Sequence, residues 1–167
     1  MILGMSTHLY TQIHVIISLI AIVSGLIVAL GMTMGRSQPI LVSVFLWMTV
    51  LTSVTGFFFP FKGVTPGIIL GIVSLVVLLL TLVAYNGKHL AGGWRRTYVI
   101  TAMLALYLNC FVLVAQCFQK IPALKALAPT GTEPAFKISQ VVLLVVFVVW
   151  TIVADKKFRF PVPAERC

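Results

Sequence analysis

Three histidines, three cysteines and three acids are all that this chain offers to the commonest protein chemistries. A b-type haem needs two axial imidazoles at one depth between helices. His14 falls near the start of the first long apolar run and His89 in the connection after the third, so the two lie at opposite ends of any bundle these runs build. His8 stands close to His14, but neighbours on one segment do not clamp a macrocycle, and two imidazoles are too few for a closed metal site. No cofactor and no metal are therefore expected, and a haem-binding redox role ranks third among the readings. Cys110 and Cys117 share a helical face, but a rise of about 1.5 Å per residue separates them by roughly 10 Å, too far for a disulfide. Cys167 is the final residue, whereas prenylation needs a cysteine four from the end.

No Asp or Glu lies within an apolar run, where proton relays and cation pumps usually keep one. There is no phosphate-binding glycine loop, zinc spacing or nucleophile elbow. General acid–base catalysis has almost nothing to use. No catalytic residue is assigned, and the chain is expected not to be an enzyme.

Polar residues inside the fourth run remain. Tyr98, Thr101, Ala105, Asn109, Gln116 and Lys120 fall near one helical face. Asn109 and Gln116 could line a polar cavity for a ligand or ion, or they could bond one helix to another, the commoner use of such residues. An amide left unpaired in hydrocarbon costs several kcal/mol, so this face is expected to look into the bundle. The segment Gln119–Phe136, QKIPALKALAPTGTEPAF, is longer than loops usually are without a function. Pro122 suits the first position of a helix, and Ile121, Leu124 and Leu127 recur every third residue, which predicts a short helix on the membrane surface. Glu133 then either pairs with Lys120, Lys125 or Lys137 or contacts a partner or ligand. The ligand- or partner-contact candidates are thus Asn109, Gln116, Tyr98, Lys120, Lys125, Glu133 and His14.

The elements that must position these residues are set by lipid. Of 167 residues, 60% are hydrophobic and 9% charged, against about 25% charged in soluble domains. Five runs reach or approach the roughly 20 apolar residues a crossing needs: 13–34, 40–61, 67–85, 97–118 and 136–154, with the outer loop at 119–135. They predict an all-α polytopic bundle forming a single transmembrane domain over 1–167. No Lys or Arg precedes Arg36 and the first run is long, so a retained span is expected rather than a cleaved signal. The net charge of +9 does not point to nucleic acid, because the cations sit singly or in pairs at the ends of the runs. One side collects eight (Arg36, Lys88, Arg95, Arg96, Lys156, Lys157, Arg159 and Arg166) and the other four (Lys62, Lys120, Lys125 and Lys137). The positive-inside rule puts the eight in the cytoplasm, with the N-terminus outside and the C-terminus inside. Aromatic residues gather at the predicted boundaries, among them Phe57, Phe58, Phe59, Phe61, Tyr85, Trp94 and Phe160.

Apolar burial does not drive helices together in lipid; small and polar residues do. The first run carries His14, Ser18, Ala21, Gly25 and Ala29 as a stripe, and the third carries Gly67, Gly71, Ser74, Leu78, Thr81 and Tyr85. The fifth run is nearly all Val, Leu and Phe between Gln140 and Trp150, and is expected to be the most lipid-exposed or to cover the bundle from outside.

The stretch WRRTYVITAMLALYLNCFVLVAQCFQKIPALKALAPTGTEPAF, Trp94 to Phe136, together with FFFPFKGVTPG, Phe57 to Gly67, resembles a family of small multi-span bacterial integral membrane proteins to which no activity is assigned. The resemblance implies a bacterial inner membrane and no residue roles. The favoured function is a non-enzymatic accessory or assembly subunit of a membrane complex, its partners being the bilayer and other membrane subunits. The alternative is a protein that binds or transports a small apolar molecule, a quinone or lipid, along the polar face of the fourth run.

Overall fold

The computed structural model describes residues 4–60 and 66–159. The connection at 62–65 with Lys62, the boundary rings Phe61 and Phe160, and Arg166 and Cys167 lie outside them. The elements are α1 (Thr7–Thr33), α2 (Pro39–Gly56), α3 (Pro66–Leu82, running into a π turn at Val83–Gly87), α4 (Trp94–Lys120), α5 (Pro122–Leu127) and α6 (Pro134–Lys157). Five of these helices, all but α5, are long and apolar enough to cross a membrane, the third counted as Gly67–Gly87. The chain is an all-helical, multi-pass membrane bundle.

Several helices outrun the predicted spans. α1 begins at Thr7 rather than Ile13, because Ser6 accepts a hydrogen bond from Leu9 N at 3.3 Å and starts the helix within polar sequence. α4 starts at Trp94 and α6 ends at Lys157, so their charged turns are helical too. Apolarity marks the hydrocarbon, whereas backbone hydrogen bonding continues through the interface.

Neighbours around the bundle run α1, α2, α3, α4, α6 and back to α1, and α1 also meets α4. Small residues make that crossing tight. A Cβ on Gly25 would come within 2.6 Å of Leu106 Cδ1 and 2.8 Å of the Phe45 ring, both fully buried. The α1 stripe is confirmed by the burial of Ala21, Gly25 and Ala29. On α3, Gly71 receives the Phe57 ring, Ser74 bonds Ser53 of α2 at 3.3 Å, and Leu78 and Thr81 are buried, but Gly67 is exposed and takes no part. The hydroxyls of Ser24, Thr33, Thr49, Thr81, Thr101 and Thr151 donate to carbonyls one turn back, which lets them lie in an apolar interior.

Candidate functional site

The polar residues fall into three levels. At mid-depth Asn109 Nδ2 donates to Thr49 Oγ1 at 3.1 Å, joining α4 to α2, while Thr49 passes its own proton to Phe45 O at 2.8 Å. Asn109 thus serves as an interhelical tie. Tyr98, on the same face three turns away, is buried at the end of the bundle that carries Arg95. It lines a void of about 10 Å³ together with Met32, Arg36, Gln38 and Phe158, room for about one water molecule. Gln38 Oε1 is buried there without a hydrogen-bond partner.

The expectation that the whole polar face of α4 looks inward is corrected at its far end, where Gln116 and Lys120 are exposed. The periodicity is right but the bundle runs out. Asn109 is level with Thr49, and α2 stops at Gly56, seven residues on, so Gln116 stands where its neighbour ends.

The basic end is built around Asp155. Its carboxylate meets Arg95 Nη2 at 3.2 Å and Arg96 Nε at 3.3 Å. Arg95 Nη1 also donates to the carbonyls of Asp155 at 2.9 Å and Phe158 at 2.6 Å. A cation over the last carbonyls of α6 satisfies acceptors that the helix itself leaves open and lies at the negative end of its dipole. Lys88 rests over the Trp94 ring at 5.7 Å. In the turn after α1, Gly35 has φ +68 and packs against the chain at Lys157, where a Cβ would be 3.3 Å from the carbonyl oxygen.

At the opposite end, His14 and Tyr10 of α1 converge on Thr55 of α2. Tyr10 donates to Thr55 O at 2.8 Å, and both rings meet the Phe59 ring edge-on at 5.2 Å. Thr55 Oγ1 lies 2.6 Å from Leu51 O and takes that carbonyl with its single proton, so it accepts from His14 Nδ1 at 2.8 Å. The network assigns the Nδ1 proton and leaves the lone pair on Nε2. His14 therefore anchors α1 to α2, at the other end of the bundle from His89.

The loop end also carries α5. The short helix forms where predicted, with Pro122 in its first turn. Ile121 and Leu127 are 44% and 61% exposed, Lys120 and Lys125 are exposed, and Ala128 is buried. Glu133 does not pair with Lys120, Lys125 or Lys137. It accepts instead from Thr130 N at 3.0 Å, Thr130 Oγ1 at 2.8 Å and Thr132 N at 2.9 Å. These bonds to the ionised form, the Thr130 amide first, hold its carboxyl at about 2. The amides of Thr130 and Thr132 lie within hydrogen-bond distance and no lysine among the described residues lies within ion-pair distance, so the turn claims the charge.

Sequence reasoning passed over the contacts that hold α6. Phe136 meets Phe118, Gln140 Nε2 donates to Phe111 O at 3.2 Å, Phe147 meets Tyr107, and Trp150 Nε1 donates to Thr33 Oγ1 at 2.8 Å. With Leu143, Ala154 and Phe158 these positions form a stripe at steps of three and four, legible among the valines as the places where the residue type changes. No family model, curated protein or solved structure matches the chain. Its function has to be read from its own geometry.

Proposed function

We propose that this chain is a non-enzymatic accessory or assembly subunit of a larger complex in a bacterial cytoplasmic membrane, with its N-terminus outside and its basic end in the cytoplasm. The observation that carries this reading is the ordered segment from Ile121 to Glu133. Glu133 closes its turn through three hydrogen bonds, and no other described part of the chain covers Ile121 and Leu127. A loop that is held rigid while presenting apolar side chains loses little entropy on docking. The flanking Lys120 and Lys125 lack an acidic partner among the described residues and give the surface a sign, which favours an acidic neighbour.

Carriage of a quinone or lipid along the polar face of α4 has less behind it. Asn109 gives one of its two amide protons to Thr49 as an interhelical tie, and the void beside Tyr98 would not admit a ring. A photo-crosslinking residue at Leu127 tests the proposal in membranes. A discrete protein adduct is expected there and not from Ile72 on the exposed face of α3. Adducts with lipid alone from both positions would remove the subunit reading.

A further inference from the structure

α6 presents its most continuous apolar surface away from the bundle, and that surface ends in charge. Val145, Val146, Val149, Trp150 and Val153 line a shallow, open apolar trough on α6. At 3.6 residues per turn, Lys156 and Lys157 fall on the same side of the helix as this lining, one turn beyond Val153. Asp155 falls on the other side and is taken by Arg95 and Arg96. Trp150 forms one wall of the trough, fixed by its bond to Thr33 on α1. Three residues after Thr33 comes Arg36, and Gly35 packs against the chain at Lys157, so the turn that carries Arg36 lies beside the end of α6, where Arg36 also borders the void next to Tyr98. Arg36, Lys156 and Lys157 are exposed, and none has an acidic partner among the described residues.

An apolar trough running into three unneutralised cations at the membrane boundary is complementary to one kind of molecule, an amphiphile with an anionic head. We propose that this face of α6 holds an anionic phospholipid, one acyl chain lying along Val145–Val153 against Trp150 and the phosphate resting on Lys156, Lys157 and Arg36. Cations near an anionic lipid surface each contribute measurably to binding, and several at one corner convert general attraction into a preferred site. The occupant is a whole lipid rather than a free anion, because the cations alone offer no buried polar group to a detached phosphate, while the trough supplies area for a chain.

Native mass spectrometry of the full chain in mild detergent tests this, with phosphatidylglycerol or phosphatidylcholine of the same acyl chains supplied in turn. The wild type should retain phosphatidylglycerol in clear preference. K156Q/K157Q should lower that preference by roughly tenfold, K156R/K157R should keep it, and K125Q at the opposite end should leave it unchanged. V149W, which fills the trough, should weaken retention, whereas V148W on another face of α6 should not. Inorganic phosphate in excess should fail to displace the lipid. Equal retention of the two lipids by the wild type, or an unchanged preference in K156Q/K157Q, would overturn the proposal. Equal behaviour of V149W and V148W would refute the placement of the chain.

Discussion

α4 and α6 are both long and both apolar, yet half of the residues in the apolar stretch of α4 are buried and only 11% of those in α6. α4 places Tyr98, Thr101, Ala102, Ala105 and Asn109 along its inner face, short or polar residues that let α1 and α3 come close and let Asn109 reach Thr49 of α2. α6 spends its length on Val and Leu, which gain nothing from leaving lipid for protein. Apolarity puts a helix into the membrane, but the small and polar positions decide where it stands there. α6 is accordingly held at points: two aromatic contacts, two side-chain hydrogen bonds and the Asp155 cluster.

The contrast can be broken at its strongest place by G25L. The added carbons have no room between Leu106 and Phe45, and a loss of about 3 kcal/mol is expected, read as a shift in the denaturation midpoint in mixed micelles. Next comes R95A, which removes an ion pair and the donor to two carbonyls at the end of α6. A loss of about 2 kcal/mol is expected. R96A should cost well under about 1 kcal/mol, since that side chain is 69% exposed and its pair is screened by solvent. N109L cuts the tie to Thr49 and should cost roughly 0.6 kcal/mol, the average for such bonds in membranes. V148L on the lipid side of α6 should change stability by no more than about 0.5 kcal/mol. If V148L cost as much as N109L, the account of α6 as a helix held only at points would fail.

The smallest effect belongs to the loop. Glu133 has its carboxyl lowered from an ordinary 4.5 to about 2. A group whose folded value is depressed contributes stability in full above its unfolded value and loses it as the pH falls through the folded one. The turn should therefore hold its amides protected down to about pH 4.5 and release them between there and about pH 2. Protection from hydrogen exchange at Thr130 and Thr132 reads this directly, and E133Q should abolish the pH dependence of that protection. Protection factors, corrected for the intrinsic pH dependence of exchange, that stay flat in the wild type across that window would contradict the assigned hydrogen bonds.

The sequence made the five spans, the short α5 and the exposed face of α6 legible, because all three follow from apolar length and period. It also marked Asn109 as a residue in need of a partner. The partner itself was hidden, since Thr49 is one of several hydroxyls on α2 and pattern alone does not set the rotation of one helix against the next. Glu133 was hidden for the opposite reason. Three lysines offered an obvious electrostatic answer, and the turn's own amides were nearer. Gln116 lay on the predicted face, but the level at which α2 would stop was not in the pattern. The role of Asp155 was within reach, because a chain with three acids and two adjacent arginines at the same end leaves few other pairings.

The bonds from Arg95 to α6 span 60 and 63 residues of chain. Synthesis therefore inserts α4 well before the groups that complete its basic end exist. Until α6 follows, Arg95 and Arg96 lack Asp155, Tyr107 lacks the Phe147 ring, and the Phe111 carbonyl lacks the Gln140 amide. The basic end therefore cannot be complete until the last helix has been made.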